Sequence, residues 1–140
     1  MEMMKTSRCG VKDAVGNGAQ VRRRKRYALQ GSKWKKTNLS YRVVRYPSSW
    51  TLTRKDVDKT VERAFTLWAD ASGLEFIKVG YNADIEILFS KFEHGDGNPF
   101  DGPGGTLAHA YFPEFGGDIH IDDSEDWTVN STSGRKDSFI

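Results

Sequence analysis

The residues that decide the fold run from Thr53 to Phe89 and read TRKDVDKTVERAFTLWADASGLEFIKVGYNADIEILF. Thr53 and Asp56 have the spacing of a helix capping box, in which each residue's side chain accepts from the other's backbone N–H. The apolar residues that follow recur at helical spacing, and they are Val57, Val61, Ala64, Phe65 and Trp68. We therefore predict one helix that begins after Thr53 and ends at Gly73.

Apolar runs on both sides of this helix predict strands. They occupy residues 39–43, 74–79, 84–89, 106–112 and 118–122. The turn Gly80-Tyr81-Asn82 separates the second strand from the third, and a glycine-rich loop at residues 95–105 precedes the fourth. The order strand, helix, strand, strand, loop, strand, strand indicates an α+β fold with a helix on one face of the sheet.

Length and composition exclude several classes of protein. The 140 residues suffice for one domain, and no window approaches the roughly 18 consecutive apolar residues of a membrane span. A disulfide scaffold is excluded because Cys9 is the sole cysteine. Residues 1–26 carry eight Lys or Arg and two acidic residues, whereas residues 84–126 carry eleven acidic residues and one lysine. This acidic region favours metal ions over nucleic acid as partners.

All three histidines fall within one 27-residue window, at His94, His109 and His120. Asp96 lies two residues after the first of them. Three imidazoles and one carboxylate can close a tetrahedral shell around zinc, and a closed shell is typical of a structural ion. The alternative is that the histidines are separate surface or core residues that happen to be near in sequence.

The loop Asp101-Gly102-Pro103-Gly104-Gly105-Thr106 has backbone carbonyls that can turn inward, and Asp122 and Glu125 supply charged oxygens from further along the chain. Calcium prefers six to eight oxygen ligands of this mixed kind. The residues alone favour a calcium site and a solvated acidic loop about equally.

Three segments resemble the metal-binding region of the matrix metalloproteinases. They are His94-Gly95-Asp96, PFDGPGGTLAHA at residues 99–110, and GDIHIDDSEDWT at residues 117–128. Residues 27–34 and the strand at 39–43 resemble the start of that family's catalytic domain, so the similarity covers roughly positions 7–134. The resemblance implies a metzincin-like domain with a twisted, mixed five-stranded sheet and one long helix.

The resemblance also implies a role for each matching residue. The structural zinc would be held by His94, Asp96, His109 and His120. One calcium ion would be bound by Asp101, Gly102, Gly104, Thr106, Asp122 and Glu125, and a second by Asp84, Gly116 and Asp118. Leu107 and Ala108 would offer backbone groups to an extended peptide substrate that adds to a sheet edge.

The basic N-terminal segment is interpreted through the same resemblance. Residues 7–13, SRCGVKD, resemble the cysteine switch of the latent enzymes, in which the thiolate of Cys9 would occupy the catalytic zinc. The basic run at residues 22–26 has three possible interpretations: a solvated linker, a nucleic-acid patch or a proprotein-convertase site. Its position favours the third, with cleavage between Arg26 and Tyr27. Residues 1–26 would then be the end of a propeptide, and residues 27–140 the N-terminal part of a catalytic domain.

The family's catalytic helix bears His-Glu-x-x-His, and this motif does not occur in the 140 residues. The first hypothesis is an incomplete catalytic domain of a secreted, zinc- and calcium-dependent endopeptidase that cleaves extracellular-matrix proteins, with its signal peptide outside this chain and no activity alone. The second is a non-catalytic zinc- and calcium-binding module from a truncated splice form. An in-frame His-Glu-x-x-His beyond Ile140 would favour the first hypothesis, and a genuine stop would favour the second.

Overall fold

The computed structural model describes residues 31–129. The predictions for Cys9, for cleavage between Arg26 and Tyr27 and for the segment 1–26 lie outside the described residues. The strands are β1 (Asn38–Arg45), β2 (Glu75–Lys78), β3 (Ile85–Ser90), β4 (Ala108–Ala110) and β5 (Ile119–Asp122). One α-helix, α1 (Arg54–Ser72), joins β1 to β2, and a 3-10 turn, Pro113–Phe115, joins β4 to β5.

The five strands form one mixed sheet in the order β2-β1-β3-β5-β4. The first three neighbouring pairs are parallel, and β4 is antiparallel to β5. The α+β fold with a mixed five-stranded sheet and one helix is therefore confirmed. The fourth strand is shorter than predicted, because the chain leaves the ladder at Pro113, which has no N–H to donate and begins the 3-10 turn.

Helix α1 begins and ends where the sequence predicts. Thr53 and Asp56 form both hydrogen bonds of the capping box, and Gly73 ends the helix in the left-handed conformation at φ 72°. Val57 and Val61 are buried against the sheet. Trp68, which shares their helical spacing, is 66% exposed and borders an apolar groove of about 120 Å³ beside β5.

The core lies between α1 and one face of the sheet, because alternate residues of each strand point the same way. Leu39 and Tyr41 of β1 are buried there, as are the odd-numbered apolar residues of β3. Among residues 31–129, no helix combines the length and the apolar character that crossing a bilayer requires. Of the three histidines, His94 lies in the loop after β3, whereas His109 and His120 lie on β4 and β5.

Candidate metal centre

One nitrogen from each histidine converges with one oxygen of Asp96. Oδ2 of Asp96 lies 2.9 Å from Nε2 of His94, 2.8 Å from Nε2 of His109 and 2.8 Å from Nδ1 of His120. Nδ1 of His120 is 2.9 Å from Nε2 of His94 and 3.1 Å from Nε2 of His109. Within residues 31–129, this is the one group of at least three His, Cys, Asp or Glu side chains whose ligand atoms all lie within 4.8 Å of one another.

The hairpin of β4 and β5 brings two of the imidazoles together. His109 and His120 are direct partners in the antiparallel register, so their side chains leave the same face of the sheet as neighbours. The loop after β3 supplies His94 and Asp96 from the opposite side. Four ligand atoms therefore come from three chain segments within one 27-residue window.

A hydrogen bond to the backbone orients His94. Its Nδ1 lies 2.7 Å from the carbonyl oxygen of Phe92 and therefore carries the proton, which leaves the Nε2 lone pair facing the cluster. Phe92 adopts a left-handed conformation, φ 49°, which is uncommon for a residue with a side chain. Such local strain costs about 1–3 kcal/mol and is concentrated at functional sites.

Both oxygens of the Asp96 carboxyl group accept hydrogen bonds. Oδ1 accepts from the backbone N–H of Asn98 at 2.9 Å, and Oδ2 accepts from the hydroxyl of Tyr111 at 2.7 Å. Burial acts to raise the pKa of Asp96, but these hydrogen bonds and those to His109 and His120 together hold its pKa well below the usual range. Asp96 is therefore a carboxylate throughout the physiological pH range.

Aromatic packing covers part of the cluster. The ring of Phe100 is stacked on His94, with centroids 4.9 Å apart, and lies 4.8 Å from the ring of His109. Burial lowers the pKa of His120, and the hydrogen bond to Asp96 opposes this effect without cancelling it. A lowered pKa favours the neutral imidazole, which is the form that binds metal ions.

The distances between the ligand atoms are close to those around a small, tetrahedrally coordinated ion. Zinc bound at about 2.0–2.1 Å by four ligands places those ligands about 3.3 Å apart. Five of the six distances between the ligand atoms are 2.8–3.1 Å, and all four atoms lie within 4.8 Å of one another. Three nitrogens and one carboxylate oxygen are also a ligand set that zinc accepts. The residues present therefore fit a bound metal ion.

The predicted calcium residues of the glycine-rich loop lie around one turn. Oδ1 of Asp101 accepts from the backbone N–H of Thr106 at 2.9 Å, and a Cβ atom at Gly105 would collide with this carboxylate. Oε1 of Glu125 accepts from the backbone N–H of Gly104 at 2.5 Å. The loop is thereby joined to the turn after β5, which carries the remaining predicted ligands.

Asp122 has no exposed surface at all. Its Oδ1 accepts from the backbone N–H of Ser124 at 2.8 Å, whereas its buried Oδ2 has no hydrogen-bond partner. Burying an ionised carboxylate is strongly unfavourable unless a cation or a full set of donors compensates it. The geometry at Asp122 therefore fits a bound cation.

The carboxylates of the second predicted calcium site already accept hydrogen bonds from protein donors. Asp84 is paired with the ammonium of Lys36 at 2.6 Å and accepts from the N–H and the hydroxyl of Ser40, and these contacts lower its pKa to about 2. Asp118 accepts from the backbone N–H of Glu86, and Gly116 lies beside the other oxygen of Asp118. A cation at this position would have to share Asp84 with Lys36.

The predicted substrate residues lie at a sheet edge. Strand β4 is the last in the sheet order, so Ala108 belongs to an edge strand, and the carbonyl of Leu107 accepts from the N–H of Asp122 on the inner side. Both residues are partly buried. Nothing in the described part of the sheet pairs with the outer side of β4.

The sequence alone assigned no role to Tyr111, Asn98 or Lys36. Alternation from His109 to Tyr111 was the available signal for the tyrosine. Asn98 and Lys36 lie in irregular segments, where no periodicity indicates which way a side chain points. Their contacts with aspartates are visible only in the folded chain.

The chain is similar in sequence to proteins of one known family. The family model described as Matrixin matches residues 33–139. Human stromelysin-3 is 42% identical over 134 residues, human matrix metalloproteinase-25 is 45% identical over 139 residues, and human matrix metalloproteinase-17 is 46% identical over 139 residues. These alignments cover 94%, 94% and 96% of this chain, and 27%, 25% and 23% of the respective relatives. The chain therefore belongs to the matrixin family of metalloproteases, the matrix metalloproteinases.

Proposed function

We propose that this chain is the zinc- and calcium-binding, N-terminal part of the catalytic domain of a metalloendopeptidase that cleaves extracellular-matrix proteins. The observation that carries the proposal is the convergence of three imidazole nitrogens on Oδ2 of Asp96. A cation at the centre would let all three imidazole nitrogens and the carboxylate oxygen act as ligands at once, whereas one proton can join only one pair of these atoms. Family membership supports the hydrolase class, and the ligand geometry supports zinc as the ion at this cluster.

The zinc bound here has a structural role in this proposal. Four protein ligands fill a tetrahedral shell, whereas a catalytic zinc keeps one position open for water. The ion would tie the loop carrying His94 and Asp96 to the β4–β5 hairpin. Its binding energy is then part of the folding energy of the domain.

Calcium is proposed at two places. At the first, Asp101, Asp122 and Glu125 would supply carboxylates, and Gly102, Gly104 and Thr106 would supply backbone groups. The buried oxygen of Asp122 without a partner supports this site. At the second, Asp84, Gly116 and Asp118 would take part, and Lys36 would have to give way.

The remaining parts of the proposal concern maturation and location. Residues 1–26 would be the end of a propeptide in which Cys9 serves as the cysteine switch, and a proprotein convertase would cut between Arg26 and Tyr27. The mature protein would act outside the cell on matrix proteins or peptides, which would pair with the outer side of β4 at Leu107 and Ala108.

The same ligand geometry supports a second candidate function. All three histidines of the chain lie in the proposed structural cluster, and the 140 residues contain no His-Glu-x-x-His. On these grounds the chain alone would be a non-catalytic zinc- and calcium-binding module. It would bind matrix or peptide through the sheet edge without cleaving it.

The zinc proposal predicts metal content. The purified chain should hold about one zinc ion, because one closed shell is available. Asp96→Asn and His109→Ala should each reduce the zinc content measured by elemental analysis after dialysis, since each removes one of four ligands.

Asp70→Asn is the matched control, because Asp70 is exposed on α1 and is remote in sequence from the cluster. It should retain the zinc content of the wild type. Unchanged zinc in both Asp96→Asn and His109→Ala would contradict the ligand assignment.

A further inference from the structure

Two residues outside the ligand set hold Asp96 in place. The hydroxyl of Tyr111 donates to Oδ2 of Asp96 at 2.7 Å, and the side-chain amide of Asn98 donates to the same hydroxyl at 2.9 Å. The amide also lies 3.3 Å from the backbone carbonyl oxygen of Asp96. We call Asn98 and Tyr111 together the Asp96 clamp.

The direction of these hydrogen bonds follows from their chemistry. An amide nitrogen can only donate, so Asn98 occupies a lone pair of the Tyr111 hydroxyl. The single hydroxyl proton is then free to point at the carboxylate, which can only accept. The chain of bonds runs one way, from Asn98 through Tyr111 to Asp96.

The hydrogen bonds around Asp96 limit how its carboxylate can coordinate a metal ion. Oδ1 of Asp96 is held by the backbone N–H of Asn98 on the side away from the imidazoles, and Oδ2 points at all three of them. A carboxylate held in this way offers one oxygen and cannot rotate to offer two. Four-coordinate geometry is thereby favoured over the larger coordination numbers that bidentate carboxylates allow.

We infer that Tyr111 and Asn98 are positioning residues that fix Asp96 as a single-oxygen ligand and so set both the affinity and the coordination number of the metal cluster. This inference rests on the proposed zinc site. Hydrogen-bonding partners of metal ligands change metal affinity by about 10–100-fold when they are removed. The clamp joins the loop after β3 to the hairpin strand, so it also orients the two halves of the ligand set before the ion binds.

The test uses the full 140-residue chain and two metal ions, zinc and cobalt(II). Zinc affinity is measured by competition with a chromophoric chelator, and the coordination number is read from the visible absorption of the cobalt(II) form. Tyr111→Phe removes only the hydroxyl and should weaken zinc binding by about tenfold or more. It should also reduce the intense absorption of four-coordinate cobalt(II), because the carboxylate would then be held only at Oδ1 and could turn about that hydrogen bond, which distorts the tetrahedral shell.

Asn98→Ala is the second variant, and because Asn98 is exposed the change leaves no cavity in the core. It should weaken zinc binding less than Tyr111→Phe, since the backbone N–H of residue 98 remains. In the double variant, Asn98→Ala should add little to Tyr111→Phe, because the amide acts mainly through the hydroxyl. Full additivity of the two changes would overturn the relay through Tyr111.

Tyr81→Phe is the matched control, because Tyr81 is 78% exposed on the turn before β3. It should leave zinc affinity and the cobalt(II) spectrum unchanged. Wild-type zinc affinity and spectrum in Tyr111→Phe would overturn the clamp and leave the zinc proposal standing. A wild-type chain that binds no zinc would instead overturn the proposed site and the clamp with it.

Discussion

Asp96 is partly buried and Asp122 is fully buried, and their carboxylate oxygens differ in their hydrogen-bond partners. Both oxygens of Asp96 accept hydrogen bonds, whereas Oδ2 of Asp122 has no partner in the folded chain. A buried carboxylate with an unmatched oxygen destabilises the metal-free protein. The stability of this chain should therefore depend on a cation at Asp122.

We predict that the thermal stability of the chain depends on calcium, and that this dependence requires Asp122. Adding calcium to the zinc-loaded chain should raise the midpoint of thermal unfolding, with a stabilisation of about 2.7 kcal/mol at a calcium concentration 100 times the dissociation constant. Asp122→Asn should abolish the rise, because it removes the buried charge that the cation compensates. Differential scanning calorimetry with and without calcium measures both effects.

Asp126→Asn serves as the control, since Asp126 is exposed on the same turn and is outside the proposed ligand set. It should keep the calcium-dependent rise. A rise of equal size in Asp122→Asn would show that calcium acts elsewhere.

The β4–β5 hairpin carries two of the four residues of the cluster, and helix α1 supports the sheet to which the hairpin belongs. Each of these elements depends on a local signal. The β4–β5 hairpin aligns His109 with His120, and a slip of one residue in its register would send one imidazole to the other face. Helix α1 supports the sheet from its core side through Val57 and Val61. The capping box at Thr53 determines where this helix begins.

We predict that the N-terminal cap of helix α1 stabilises the folded chain. Thr53→Ala should lower the free energy of unfolding by about 1 kcal/mol, because it leaves the backbone N–H of Asp56 without its side-chain acceptor. Urea unfolding of the zinc-loaded chain measures the change.

Thr66→Ala is the comparison within the same helix. Thr66 is exposed, and its hydroxyl only bonds back to the carbonyl of Glu62. Alanine has the higher helix propensity, so this variant should be as stable as the wild type or slightly more stable. Equal losses in both variants would contradict a capping role for Thr53.

At the scale of the whole molecule, the chain combines an open sheet edge with a closed ligand cluster. No described strand pairs with the outer side of β4, and all three histidines converge on Asp96. Peptide hydrolysis by a zinc ion requires an open coordination position and a nearby carboxylate to take the proton of the bound water. The four protein ligands proposed for zinc would leave no such position at this cluster.

We therefore expect no measurable hydrolysis of a fluorogenic matrix-metalloproteinase peptide by the 140-residue chain. Zinc and calcium are supplied, and the assay is repeated after removal of residues 1–26. Turnover that a chelator abolishes, and that a parallel preparation of His94→Ala lacks, would show that a catalytic group has been missed.

The sequence by itself determined the fold class, the start and end of α1, the family and the identity of the four residues that converge. These features depend on patterns within a few residues of one another: the capping pair, the apolar periods, and the motifs around His94, His109 and His120. The exposure of Trp68 was not predictable from the same helical period, because a period shows which residues share a face but not how far the sheet extends beneath it.

Only the tertiary structure decided which donors reach the aspartates. Tyr111 is 15 residues from Asp96 in sequence, and Lys36 is 48 residues from Asp84, yet each pair is in hydrogen-bond contact. Such contacts depend on how irregular loops pack against the sheet, and the sequence of a loop carries no period from which side-chain direction follows. The convergence of four ligand atoms likewise required the register of β4 with β5, since tertiary packing alone places groups from distant segments within about 3 Å of one another.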